Sequence, residues 1–261
     1  MTSGKLSLAA LLIVVILSTV SPLPLKEAKA VLADKIYGDP SDGHIDSSGL
    51  VDDSVNFYGI GDDNMNRYIR GFVKFSLSGI SGKLSTATLN LYVLGSWKDS
   101  SDDYISPLTN PDLGDFLVIH IADYGSTLDF GDFNAPSIGN DPGVLISSTA
   151  TPNVGYVSID VKAAMQDDID NNRAWSTFMI KLAIDTDNDG KWDRWVLSSV
   201  DQTGTAQDPF IEYTLQAPAP TPRPVGGVVL STNKLEIVTP YIALAGLVIA
   251  VSAVLVKKRR Y

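Results

Sequence analysis

Tyr68-Ile69-Arg70-Gly71-Phe72-Val73-Lys74-Phe75-Ser76-Leu77 is the stretch that decides the fold class. Ile69, Val73, Phe75 and Leu77 fall on one side of an extended chain, and Arg70, Lys74 and Ser76 fall on the other. That is the period of two that a strand with a buried face requires. Leu84 to Val93 repeats it, with Leu89, Leu91 and Val93 opposite Thr88, Asn90 and Tyr92. Working outward, strands are expected over 31–37, 54–58, 116–122, 144–149, 156–161, 176–184, 192–198 and 209–215. Between them lie turn-forming clusters such as Asp39-Pro40-Ser41-Asp42-Gly43, Gly79 to Lys83, Asp99 to Asp103 and Gly131 to Gly139. Many short strands punctuated in this way predict an all-β antiparallel sandwich or barrel. One short helix interrupts it. Asp160 can cap Val161 to Asn171, in which Val161, Ala164, Met165 and Ile169 share a face.

The two ends of the chain set an expected topology. Lys5 forms a positive n-region, Leu8 to Val20 an apolar core, and Ala28-Lys29-Ala30 a small-x-small cleavage site, so residues 1–30 read as a signal peptide. At the other end, Pro240 to Val256 is seventeen residues without a charge, followed by Lys257, Lys258, Arg259 and Arg260. At ~1.5 Å rise per residue such a run suits a hydrocarbon layer about 30 Å thick. The basic cluster at 257–261 places the tail in the cytoplasm and the preceding domain outside. Expected, then, is a single-pass plasma-membrane protein with a C-terminal transmembrane helix at 240–256. Gly246 and Ala250 are spaced for helix packing within that span. Residues 216–227 (QAPAPTPRPVGG) read as a proline-rich stalk, with a ligand for a proline-recognition domain as the alternative. A membrane-proximal segment, 228–239, links stalk to span.

Charge narrows the partners. Residues 31–224 hold 28 acidic and 12 basic side chains, a net of −16, which argues against nucleic acid or an anionic membrane surface. Glu212 is the single glutamate among those acids. Aspartate is a turn, cap and hard-cation residue, so the bias fits a loop-rich β protein and raises calcium as a ligand. There is no cysteine, so the exported domain must rely on its core, on bound metal, or on both. His44 and His120 are the only histidines, and neither lies in a recognisable catalytic setting.

The sharpest local motif is Asp185-Thr186-Asp187-Asn188-Asp189-Gly190-Lys191-Trp192-Asp193. Oxygens at positions 1, 3 and 5, glycine at 6, a backbone carbonyl at 7 (Lys191) and an acid at 9 copy the start of an EF-hand loop. Val196 stands where the twelfth-position glutamate would be. A Ca²⁺ site at Asp185, Asp187, Asp189, Lys191 and Asp193 is therefore expected, against the simpler reading of Asp189-Gly190 as a tight hairpin turn. Trp192 and Trp195 are three apart, so one faces the core and the other is free to stack on a sugar ring. Trp97 and Tyr104, in an acidic neighbourhood, are further candidates for such a platform. No pair of acids stands out for glycoside hydrolysis.

The run Arg70 to Ser78, the turn Gly79-Ile80-Ser81-Gly82 and the strand Ala87-Thr88-Leu89-Asn90-Leu91-Tyr92-Val93 resemble the DNRLRE-type, disaggregatase-related domain. Tyr156 to Val161 leading into a short helix, and Asp208 to Thr214, resemble that family's strand-to-helix element and closing strand. Ser76 stands in place of the family's usual aspartate, and Ser199-Val200-Asp201 in place of its basic-acidic pair. The resemblance spans 31–215. It implies a jelly-roll sandwich and a carbohydrate-binding role, hence a polysaccharide or surface glycan as partner and no enzymatic activity. Two other classes stand beside that expectation: a structural or adhesive envelope protein without a sugar site, and a polysaccharide hydrolase or lyase.

Overall fold

The computed structural model describes residues 32–54, 56–100, 111–150, 153–201, 206–217 and position 244, with the backbone alone at 97–100. The expected leader, most of the stalk, the membrane-proximal segment, the span apart from Leu244 and the basic tail lie outside the described residues. Among the described residues no helix is long and apolar enough to cross a membrane. Contacts along the chain separate Met1–Ala217 from Pro218–Tyr261.

The first unit is an all-β sandwich with one helix. Its strands are β1 (Asp34–Tyr37), β2 (Gly43–Asp46), β3 (Val51–Asp52), β4 (Phe57–Asp62), β5 (Tyr68–Ser76), β6 (Leu84–Ser100), β7 (Phe116–Ile121), β8 (Gly143–Ile146), β9 (Gly155–Asp160), β10 (Trp175–Leu182), β11 (Trp192–Ser198) and β12 (Phe210–Leu215). Every pairing is antiparallel, and the main path runs β1-β12-β6-β11-β4-β5-β10-β7-β8, with β2 and β3 beside β5 and β9 beside β6. The path folds back on itself where β4 meets β5 through only two pairs, Gly61–Ile69 and Asp62–Tyr68. The Phe116 ring of β7 then lies 6.2 Å from Trp195 of β11, across the sandwich interior. Trp195, Tyr58, Phe75, Phe178, Leu89 and Leu91 all have no exposure and belong to that one core.

The expected alternation of β5 is present, but its second face is covered as well. Val73, Phe75 and Leu77 enter the main core. Phe72 joins a smaller one with Ile45, Ile121, Tyr124, Leu128, Phe133 and Met179, beneath the 122–135 connection and its 3-10 turn Phe130–Asn134. Arg70 and Lys74 are thereby buried beneath aromatic rings, Arg70 4.5 Å from the Phe133 centroid and Lys74 4.7 Å from that of Tyr124. Such packing keeps a cation tolerable where water is excluded.

Helix α1 (Lys162–Asp170) follows β9 within one residue of the expected bounds, and Asp160 accepts the Lys162 N–H at 2.8 Å. Ala164 and Met165 face the core, as the shared face predicts, and so does Asp168. Two elements were not expected: β2 and β3 are too short for periodicity to reveal.

Gly61 sits at the β4–β5 junction with φ of +141°, and a Cβ there would collide with the Asp193 carbonyl. A side chain is excluded on both counts. Gly61→Ala should destabilise the domain by about 1–3 kcal/mol, read from a urea midpoint, as overpacking does. An unchanged midpoint would mean that the junction relaxes freely.

Candidate metal centre and neighbouring groove

The β10–β11 connection is built by short side chains that fold the backbone onto themselves. Thr186 Oγ1 accepts the Asn188 N–H at 3.0 Å, Asp187 Oδ1 the Asp189 N–H at 3.0 Å, and Asp189 Oδ1 the Lys191 N–H at 2.8 Å. Asn188 and Gly190 take left-handed φ values of 63° and 74°, which their residue types tolerate. Gly190 N–H donates to Asn66 Oδ1 at 2.8 Å, so this loop rests on the β4–β5 connection.

One carboxylate oxygen each from Asp187, Asp189 and Asp193 lies within 4.8 Å of the others. Ligand oxygens around one Ca²⁺, each at roughly 2.4 Å from the ion, lie no farther apart than about that distance. Asp185 is not part of the group. Arg70 (3.3 Å) and Lys181 (3.5 Å) hold its carboxylate instead. Lys191 sends its ammonium to Asp189 Oδ2 at 3.1 Å, a half-exposed pair of small energetic weight.

Beside this group stands a residue that the sequence did not single out, Asp62. It pairs directly with Asp193 across β4 and β11, which puts the two side chains on one face of the sheet. It has no exposure, and neither carboxylate oxygen has a hydrogen-bond partner. Burial, with repulsion from Asp187 and Asp189, pushes its pKa up to about 6; the Thr186 hydroxyl and Asp187 amide temper the rise without completing hydrogen bonds. The nearby guanidinium of Arg67 is already committed to Asp63 and to Asp46. Asp62 therefore stands beside Asp193 and within the field of Asp187 and Asp189, and all four are hard oxygen donors of the kind that suits calcium.

The expected sugar platform is divided. Trp195 is fully buried against Phe116 and stacks on no ligand, a correction to its place among the binding candidates: it is the inward-facing member of the Trp192–Trp195 pair. Trp192 is half-buried, and the Arg194 guanidinium lies over its ring at 3.9 Å. Trp97 lies opposite Arg194 in the β6–β11 register, with its side chain outside the described residues, as is all of Tyr104.

A larger feature lies elsewhere. An open groove of about 890 Å³ runs between the 140–142 loop and α1, lined by Asn140, Asp141, Asp160, Lys162, Gln166 and Asp167 among others. Beneath it His120 is fully buried, with Nδ1 2.7 Å from the Gly139 carbonyl and Nε2 3.0 Å from both oxygens of Asp168. Both neighbours are acceptors, an arrangement that favours the doubly protonated ring over either neutral tautomer. Burial alone would lower its pKa; the hydrogen bond and charge of Asp168, with Gly139, outweigh that and raise it. Arg173 also pairs with Asp168 at 2.8 Å, and the His120 amide donates to Asp141. The pair therefore fastens one wall of the groove, the loop, to the other, the helix. His120, Asp167 and Asp168 cluster as metal ligands would, but Arg173 and the two ring protons already occupy them.

No protein-family model matches the chain, and no curated protein matches it.

Proposed function

We propose that this chain is a membrane-anchored cell-surface module of the disaggregatase-related type. Its jelly-roll ectodomain, 31–215, would bind a polysaccharide or glycan and carry a structural Ca²⁺ held by Asp62, Asp187, Asp189 and Asp193. The groove between the 140–142 loop and α1 is the observation that carries the binding part of this reading. Its length is bordered by amides, carboxylates and one ammonium. Such groups both donate to and accept from hydroxyls. The reading assigns no covalent chemistry: recognition would be by hydrogen bonding, with partly exposed aromatic rings as secondary contacts.

The test is a glycan array probed with the full chain in detergent and with the variant Asn140→Gly/Lys162→Ala. Glycine keeps the left-handed backbone of Asn140, at φ 57°, while removing its amide. Binding of a glycan by the native chain that falls at least tenfold in the variant supports the reading. No binding across the array would favour an adhesive envelope role, for which the exposed edge strand β1 offers unpaired backbone groups.

A further inference from the structure

The wall of the groove that carries Asn140 is anchored at two points and held between them by a titratable ring. Before Asn140, the Ile138 N–H donates to the His120 carbonyl at 2.9 Å, and the Gly139 N–H to Ser137 Oγ at 3.0 Å. After it, Asp141 Oδ1 accepts the His120 N–H at 2.9 Å and the Ser137 hydroxyl at 2.8 Å. None of these bonds involves the imidazole. Between the anchors lies the Gly139–Asn140 peptide, whose carbonyl oxygen is 2.7 Å from His120 Nδ1. Gly139 and Asn140 take left-handed φ values of 97° and 57°. Glycine can reorient such a peptide at little steric cost, so the ring sets its direction. Asn140 and Asp141 both line the groove.

With an acceptor at each ring nitrogen, loss of one proton must leave a lone pair facing an acceptor. Charge decides which nitrogen gives it up. Nε2 faces the Asp168 carboxylate at 3.0 Å from both oxygens, and a charge-assisted hydrogen bond is the stronger kind. The proton therefore leaves Nδ1, whose lone pair then opposes the Gly139 carbonyl, and the peptide must turn or withdraw. The charged groups around the ring are Asp167 and Asp168 of α1, Arg173 just beyond it at 2.8 Å from Asp168, and Asp141 of the loop. From β10 the ring meets Phe178, at 5.8 Å between centroids, and β8 carries no titratable residue. Burial opposes charge on the ring; Asp168 and Gly139 outweigh it, so the second proton is held above the ordinary value of 6.5.

We propose that the His120 proton controls the position of the Gly139–Asn140 peptide and, through it, the affinity of the groove for glycan. The charged ring holds Asn140 in the wall, and the neutral ring releases it. The affinity half of this inference rests on the reading of the groove as a glycan site; the loop half does not. Proton and glycan then favour each other by the same factor, so binding weakens as pH rises.

The experiment follows imidazole and backbone-amide NMR signals of the full chain in detergent and saturating calcium, from about pH 5.5 to 9. The chain has two histidines, and each ring is assigned through its own backbone. The Asn140 amide, which belongs to the peptide in question, is expected to shift with the midpoint of the His120 ring, while the Ile138 amide stays in place. Asp168→Asn, which keeps the side-chain shape and removes the charge, should move both midpoints to lower pH together. If that variant does not fold, the titration of the native chain decides alone. A glycan array read at about pH 6 and 8.5 should show binding about fivefold weaker at the higher pH, the low end of coupling between sites. An Asn140 amide that stays fixed while the ring loses its proton overturns the proposal, as does a ring that does not titrate in this range. A moving amide with equal glycan binding at both pH values overturns the affinity half. A moving amide with no glycan bound at either pH upholds the loop half and sinks the glycan reading of the groove.

Discussion

Removing calcium will lower the melting temperature of the domain, and Asp62→Asn will abolish that response. Mass action sets the size: an ion that binds the native fold alone, at a hundredfold excess over Kd, stabilises by about 2.7 kcal/mol. For a domain of this size each kcal/mol moves Tm by roughly 2–4 °C, so chelation should cost about 5–10 °C. Asp187→Ala should act like Asp62→Asn. Asp185→Ala should leave the calcium response intact, because Asp185 is held by Arg70 and Lys181.

The pH dependence supplies a signature that a plain hairpin turn would lack. Without the ion, the folded pKa of Asp62 is raised from 3.8 to about 6, so the fold prefers its protonated form. Stability from that preference is present below the unfolded value and is lost as pH rises through about 6. Calcium binds the ionised form, so the difference in Tm between calcium and chelator should be small at acid pH and full above neutrality. Identical melting curves with and without chelator at every pH would leave the Asp189-Gly190 turn as the whole explanation.

The second large effect is expected beneath the groove. Asp168→Ala leaves the His120 imidazolium and the Arg173 guanidinium without their shared partner, in a place where His120 has no exposure. Breaking a buried pair in this way costs about 3–5 kcal/mol. Because the folded pKa of His120 is raised, its contribution is fully present below its ordinary value of 6.5 and is lost as pH rises through the folded value. In saturating calcium, the native domain should therefore lose stability relative to Asp168→Ala as pH rises through neutrality. A constant difference from pH 5.5 to 9 would show that the ring holds one proton throughout.

The groove and the acidic cluster differ in how far the sequence revealed them. The Asp185–Asp193 loop announced itself through spacing, because an Asx-rich turn is a local structure whose ligands are near neighbours. Its second half did not. Asp62 precedes Asp193 by 131 positions, and only the β4–β11 register places the two side by side. The same spacing placed Asp185 among the candidate ligands, and Arg70, arriving from β5, lies against its carboxylate. His120 looked inert in the sequence for a similar reason. Gly139 and Asp168, which give it its charge, come from a loop and a helix that meet only when the sandwich closes.

Alternation in Tyr68 to Leu77 and Leu84 to Val93 by itself determined that these stretches form strands, because side-chain period is a property of the backbone at each residue. Helix α1 and its core-facing Ala164 and Met165 were equally local, as were the turn residues around Gly190. Tertiary structure alone decided that the polar face of β5 is buried under 122–135, that Trp195 rather than Trp192 is enclosed, and that Asp62 comes beside Asp193. Those outcomes depend on register and on which segments cover one another. Neither quantity is encoded within a window of ten residues: it follows from the closure of the sandwich, where pairings between distant strands are selected together.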